Sequence, residues 1–448
     1  MSVANYNLKY PHAMKPLRVE GTIPSQLRGT LYRAGPGLIE RFGKSVHPFL
    51  ADGAITSVEI SSQAKGACRM VETDKYLQEE ACGRTLYDTN APLLNRVKNA
   101  LVRNIKSTGN THILSWQNRF FALMEAGKPV EFDPQTLETI GTTDLDMIQG
   151  AFSAHPHRVE RLKTTFNFGI RGQYIDLFSL PDIGHAKRIT TFKAPWASLI
   201  HDFMMTDKHA IFFISPSKLV VWRAVLGLKD FSKYFSWDAQ ESTFIIVVPL
   251  NSLDKLCQFE VDAFHVWHFA NAYEDGEDII VDACRHDDIG TLGNPIETTA
   301  NDTEPAFWRF RINPKNKQLL GEEVWSVPCE FPMVNLQLLG SKHRYAWVQT
   351  YKDKTGNGGF ARIDTETQKI QRWYAPDHHQ ISEPLFVSKG QKEEEGWVLQ
   401  LTQDLTHEKS YLAIIDSQKM DELPVAKLWF DQAIPMTFHG AFIKDSSA

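Results

Sequence analysis

Short apolar runs separated by turn residues recur along most of this 448-residue chain, and that pattern constrains the fold more than any other feature. HILSW, QN and RFFALME (112–125) read as a hairpin. So do HDFMMT-DK-HAIFFI (201–214) and HFANAY-EDG-EDIIVDAC (268–284), the latter turning at Glu274, Asp275 and Gly276. RYAWVQTY, a loop with Gly356, Asn357, Gly358 and Gly359, FARID and KIQRWYA continue the series. A weak phrase repeats at VEFDPQTLETI (130–140), ARIDTETQKIQRW (361–373) and LAIIDSQKMDELPVAKLWF (412–430), where an apolar strand meets Asp, a polar turn follows and a second strand begins. Propeller blades have this form. The spacing is too irregular to count blades, and a β-sandwich of similar size is the competing architecture. With no linker or low-complexity run in the chain, the expectation is one all-β domain over 1–448.

Two segments depart from the pattern. PLLNRVKNALVRNIK (92–106) sets Leu93, Leu94, Val97, Leu101 and Ile105 at roughly helical spacing among Arg96, Lys98, Arg103 and Lys106. LVVWRAVLGLKDFSKYF (219–235) is similarly apolar and basic. Two readings stand for both: amphipathic helices packed on the core, or a basic-apolar surface dipping into a membrane leaflet.

Composition removes several classes of function. With 48 Lys+Arg against 54 Asp+Glu the net charge is −6, which argues against nucleic acid as a partner. The most apolar stretch, 211–228, is broken by Pro216, Lys218 and Arg223 and cannot span a bilayer. Cys68, Cys82, Cys257, Cys284 and Cys329 are scattered and contain no CxxC pair, so they read as reduced thiols. MSVANYNLKYPHAMK has no apolar leader core. These features together predict a cytoplasmic protein.

The chemical signal lies in the 16 histidines. A lone histidine is usually a surface or hydrogen-bonded core residue. Four have more specific settings. Pro156 biases His155 towards extended backbone, His201 and His268 open strand patterns, and Gly440 beside His439 leaves room for close backbone approach. Their intervals are 46, 67 and 171 residues. Inner strands of a propeller converge on its axis, so distant residues can face one ion, although spacing alone does not prove it.

These residues also carry a family resemblance. GTLYRAGPGLIERFG (29–43), Asp52-Gly53, GNTHILSWQNRFFALMEAGKPVEFDPQTLETIG (109–141), AHPH, FNFG, HDF, NAYEDGEDIIVD, EFPMVN, SEPLFV and TFHG, in order along the chain, resemble the carotenoid cleavage oxygenase family, and specifically its compact microbial members. The resemblance implies a seven-bladed β-propeller with short helices and loops capping one face. It implies one Fe(II) per chain on the axis, held by His155, His201, His268 and His439. Asn271 of the NAYE motif selects His268 over His265, and His157 is a neighbour of the site. Glu125, Glu330 and Glu383 match the glutamates that accept N–H bonds from ligand imidazoles, with His155 as the ligand lacking one. The implied reaction uses O2 to cleave a conjugated C=C bond of an apolar polyene into two carbonyl products, with no acid, base or nucleophile from the protein.

Family members also include stilbene cleavers and a retinoid isomerohydrolase. Stilbene cleavers place a Lys where this chain has Met124, and Lys128 sits at a different position, which favours a carotenoid or apocarotenoid. The chain lacks the long insertions expected of the isomerohydrolase. Two readings of other classes remain: a non-catalytic ligand-binding propeller, and a zinc hydrolase built on His155-Pro156-His157.

Overall fold

The computed structural model describes residues 7–226, 231–293, 305–351, 358–390 and 392–445. The hairpins assemble into seven antiparallel sheets of four or more strands, arranged as the blades of a propeller. Blade 3 is the plainest, with His157–Val159 at the hub followed outward by Thr164–Arg171, Tyr174–Pro181 and Lys187–Lys193. The hub strands of blades 2, 4, 5 and 6 are His112–Trp116, Met204–Met205, His265–Asp275 and Cys329–Met333. Blade 7 has two hub segments, His379–Ile381 and Leu385–Ser388, both paired with Gly396–Asp404.

The ring closes twice. The N-terminal strand Arg18–Gly21 pairs with Ala426–Trp429 at the rim of blade 7. The C-terminal strand Gly440–Lys444 pairs with Gly29–Leu38 as the hub strand of blade 1. Each end of the chain therefore completes a blade built by the other.

Because both faces of a blade press on neighbours, strands read as continuous apolar runs rather than alternating ones. In HAIFFI only the first residue is incompletely buried. Phe168, Phe203, Phe212 and Ile246 fill the space between blades 3 and 4, and Phe213, Ile245, Phe269 and Phe310 that between blades 4 and 5.

The turns explain the repeated phrase. Asp133, Asp364 and Asp416 each accept backbone N–H bonds two residues on, from Gln135, Glu366 and Gln418. Such Asx turns start the polar reversal after an apolar strand. Gln117 (φ 50) and Asn118 (φ 61) make the left-handed reversal of the first hairpin. The hairpin over 268–284 turns later than predicted, at Gly276 (φ 66) and Glu277, because Asp275 pairs across the ladder with Asp278. Gly356 and Asn357 lie outside the described residues.

Among the described residues three α-helices sit between strands: Asp74–Cys82, Leu93–Leu101 and Val221–Leu226. The first is absent from the sequence reading, although Thr73 caps it by accepting from Tyr76 N at 3.3 Å and Gly83 (φ 61) ends it. Glu79 on this helix is fully buried and bound by Arg41 (2.6 Å) and Lys106 (2.6 Å), both of which also bind Asp52 of blade 1. That cluster ties the helical excursion to the propeller.

The other two helices correct the core-packing expectation. No residue of Leu93–Leu101 is buried, and Leu94, Leu101, Val102 and Ile105 face outward. Val221, Trp222 and Leu226 are exposed as well, and Arg96 bonds the carbonyl of Leu226. Residues 227–230 of the second basic-apolar segment lie outside the described residues. No helix among the described residues is long and apolar enough to cross a membrane. All five cysteines are free.

A Cβ on Gly440 would lie 2.1 Å from the Tyr32 carbonyl oxygen and 3.0 Å from Arg33 Cα. Gly440→Val is therefore expected to cost about 1–3 kcal/mol by overpacking the C-terminal closure, measured as a lower urea midpoint. An unchanged midpoint would contradict the close approach.

Candidate metal centre

Every blade delivers one polar side chain to the hub. His155 and His201 lie just ahead of the hub strands of blades 3 and 4, His268 lies within that of blade 5, and His439 immediately precedes that of blade 1. Glu330 is in the hub strand of blade 6, Glu383 lies between the two hub segments of blade 7, and Glu125 follows Arg119–Leu123 of blade 2. A residue where the chain enters a hub strand can point along the axis instead of into a blade interface. All four histidines are buried. His155 Nε2 is 2.9 Å from His201 Nε2, which is 3.0 Å from His268 Nε2, which is 3.2 Å from His439 Nε2. The potential ligand atoms all lie within 4.8 Å of one another.

The carboxylates set which nitrogen faces inward. Glu330 Oε2 accepts from His268 Nδ1 at 2.6 Å and Glu383 Oε1 from His439 Nδ1 at 2.9 Å. Glu125 Oε1 lies 3.2 Å from His201 Nδ1, a close contact without hydrogen-bond alignment. A proton held on Nδ1 leaves Nε2 as a bare lone pair. For His155 Nδ1 the nearest carboxylate is Asp202, at 4.0 Å.

Burial and the neighbouring imidazoles hold His155 and His439 well below the usual imidazole range, so both are neutral donors. Burial pushes His268 the same way, but Glu330 overrides it and His268 is raised. Burial would raise Glu330, yet His268 and His286 keep it far below the usual carboxylate range. Four imidazole nitrogens and no direct carboxylate donor suit a borderline divalent cation such as Fe(II), with the glutamates offsetting its charge one layer out. The residues therefore fit the implied ion.

The neighbouring histidines are placed elsewhere. His157 Nε2 is bound to Asp202 Oδ1 at 2.7 Å and does not join the cluster, which removes the His155-Pro156-His157 pair as a zinc motif. His265 Nδ1 meets Ser215 Oγ at 2.9 Å, with Trp267 between its ring and His201. Asn271 is structural, since its amide bonds Ser341 O, His343 Nδ1 and Gly340 N.

Several residues of the centre escaped sequence reasoning. Arg33, fully buried, binds Glu383 Oε2 at 2.9 Å, and His286 binds Glu330 Oε1 at 2.7 Å. Asp202, beside His201 in HDF, and Arg33, inside GTLYRAGPG, had a positional signal; His286 had none. Asn110 Nδ2 donates to the carbonyls of Pro48, Phe49 and Ala51 and holds the turn that sets Phe49 6.3 Å from His201. Trp267 and Phe331 approach the cluster at 5.1 Å from His201 and 4.8 Å from His268.

Two outcomes follow. His439→Ala is expected to abolish stoichiometric metal uptake, while His265→Ala leaves it intact, measured by metal analysis after reconstitution; the reverse result would refute the assignment. His112, whose ring lies 5.5 Å from His439, titrates near 3 instead of 6.5 because burial and His439 disfavour its cation. The unfolded chain then takes up this proton first, so stability present above about pH 6.5 is lost as pH falls towards about 3. The urea midpoint of the metal-free protein should drop across that window, and His112→Gln should flatten the drop.

Residues 5–444 match the family described as retinal pigment epithelial membrane protein. The apocarotenoid-15,15'-oxygenase of Synechocystis sp. is 30% identical over 453 residues, covering 95% of this chain and 92% of that protein. Carotenoid 9,10(9',10')-cleavage dioxygenase 1 of Phaseolus vulgaris is 24% identical, covering 96% of this chain and 87% of that one. The crystal structure of cobalt-substituted Synechocystis apocarotenoid oxygenase superposes with a TM-score of 0.88 at 28% identity, covering 98% of each chain. With a match across nearly its whole length and a propeller of the same form, the chain belongs to the retinal pigment epithelial membrane protein family, the family of the carotenoid cleavage oxygenases.

Proposed function

We propose that His155, His201, His268 and His439 hold one ferrous ion and that the chain, acting as a single domain, cleaves a conjugated C=C bond of a carotenoid or apocarotenoid into two carbonyl products. The observation that carries this reading is the convergence of four buried Nε2 atoms with no carboxylate among the direct donors. A bound ferrous ion supplies the activation of O2.

The protein's own residues bind, orient and exclude water. Glu330 and Glu383 fix the ring orientation of His268 and His439, while His286 and Arg33 hold the far oxygens of those carboxylates. Both glutamates are thereby committed and neither serves as a general base. Phe49, Trp267, Phe331 and Phe438 supply apolar ring surface beside the cluster, suited to aligning one double bond of a polyene.

Met124 supports an isoprenoid over a phenolic stilbene. Its buried thioether accepts from Thr108 N at 3.1 Å, and it offers no cation to a phenolate. Lys128 is spent on a surface pair with Asp144 at 3.2 Å. The outward apolar side chains of 92–106 and 219–226, interleaved with Arg96, Lys98 and Arg103, support peripheral contact with a membrane in which such a substrate dissolves. A cytoplasmic site of action at that surface is the location this implies.

The test is incubation of iron-loaded protein with carotenoids, apocarotenals and stilbenes, each offered in detergent and in liposomes, with products identified by mass. Polyene aldehydes formed only in the presence of O2, faster from liposomes, are expected. Stoichiometric zinc with O2-independent activity, or cleavage of stilbenes alone, would overturn the proposal.

A further inference from the structure

Beside the cluster of four histidines lies a pair of imidazoles that the proposed reaction does not use. His265 opens the hub strand of blade 5, directly across the ladder from His286 on the next strand. Both are buried, and their ring centroids are 6.4 Å apart.

Counting hydrogens fixes the state of His265. Ser198 Oγ donates to the Ser215 carbonyl at 2.9 Å. Having one hydrogen, it accepts from Ser217 Oγ at 2.9 Å. Ser217 therefore accepts from Ser215 Oγ at 2.9 Å. Ser215 in turn accepts from His265 Nδ1, also at 2.9 Å. This is the single assignment that gives every contact one hydrogen, and it leaves His265 Nε2 a bare acceptor. His286 Nε2 meets Glu330 Oε1 at 2.7 Å, and the tautomer that places its one ring hydrogen there leaves Nδ1 bare too. Neither nitrogen has a partner among the described residues. Burying two acceptors without a donor is costly, and buried polar groups are normally satisfied.

We infer that His265 Nε2 and His286 Nδ1 form a second buried site that takes a hydroxyl group, one ring removed from the four-histidine cluster. Trp267 is the dividing ring, with its centroid 4.8 Å from His265 and 5.1 Å from His201. An O–H donor is the chemistry that two bare nitrogens require. A water molecule, with two hydrogens, can donate to both; a substrate hydroxyl has one and donates to His265 Nε2 alone, and that second source rests on the cleavage reading proposed above.

The experiment is a high-resolution crystal structure of the full iron-loaded chain without substrate, joined to kinetics on an apocarotenal and its ring-hydroxylated counterpart. An oxygen within about 3.2 Å of both nitrogens is expected. Density at neither or at only one of them, or a metal ion there, overturns the site. Because that density is read without substrate, it stands or falls apart from the cleavage reading. If the oxygen is a resident water, the two substrates have equal kcat/KM and His265→Phe leaves the ratio unchanged. If the substrate hydroxyl replaces it, the wild type prefers the hydroxylated substrate by about tenfold or more, and His265→Phe removes the preference.

Discussion

Four buried imidazoles with their Nε2 atoms turned towards one point crowd like groups together, and that constraint organises the molecule. The arrangement persists when the surrounding fold over-determines each ring or when a cation sits among them. Here the fold supplies the first condition through seven separate blades. His439 is the most revealing case, because it arrives on the strand that closes the ring. Its N–H bonds Thr111 O at 3.0 Å in blade 2, and its carbonyl accepts from Ala34 N at 3.0 Å in blade 1. Closing the propeller and completing the donor set are one event, so an ion bound there stabilises the closed ring over any open form.

The carboxylates around the hub share a logic of double commitment. Glu330 is held by His268 and His286, Glu383 by His439 and Arg33, and Asp202 by His157 and the backbone of Phe203 and Phe269. A carboxylate fixed at both oxygens cannot swing, and the imidazole it holds cannot turn. Glu125 departs from this pattern: it is partly exposed and its Oε1 makes no aligned hydrogen bond. His201 is therefore the donor whose orientation rests most on packing, against Trp267 and Phe49.

The hairpins were legible because their signals are local. Gln117-Asn118 and the Asp-polar-turn phrase each specify a reversal within a few residues, and the structure uses them that way. The number of blades was not legible from spacing, because loops of very different length separate the hub strands. The four histidines that cluster at the hub, 46, 67 and 171 residues apart, are marked by motif words and not by period. His286 and the serines behind His265 left no sequence mark, since their roles exist only where distant strands meet, and Arg33 lies in the GTLYRAGPG motif, which does not say what it binds. The helix Asp74–Cys82 is different: its capping residues, Thr73 and Gly83, were present in the sequence and went unused.

The Asp52-Gly53 pair shows how a family motif can be structural instead of chemical. Asp52 points away from the hub and binds Arg41 and Lys106, which also hold the fully buried Glu79. Glu79 in turn accepts from the backbone of Leu86 and Tyr87, where the chain leaves the first helix towards the exposed one. Gly53 bonds Thr108 O at 3.1 Å, and a Cβ there would lie 2.4 Å from that oxygen. Blade 1 therefore grips both ends of the excursion, one through charge and the other through backbone contact. An outward-facing apolar helix has no core of its own to hold it, so its position relative to the hub depends on this grip. Removing one ion of such a buried cluster leaves the others uncompensated, which makes the anchor all-or-none and not graded.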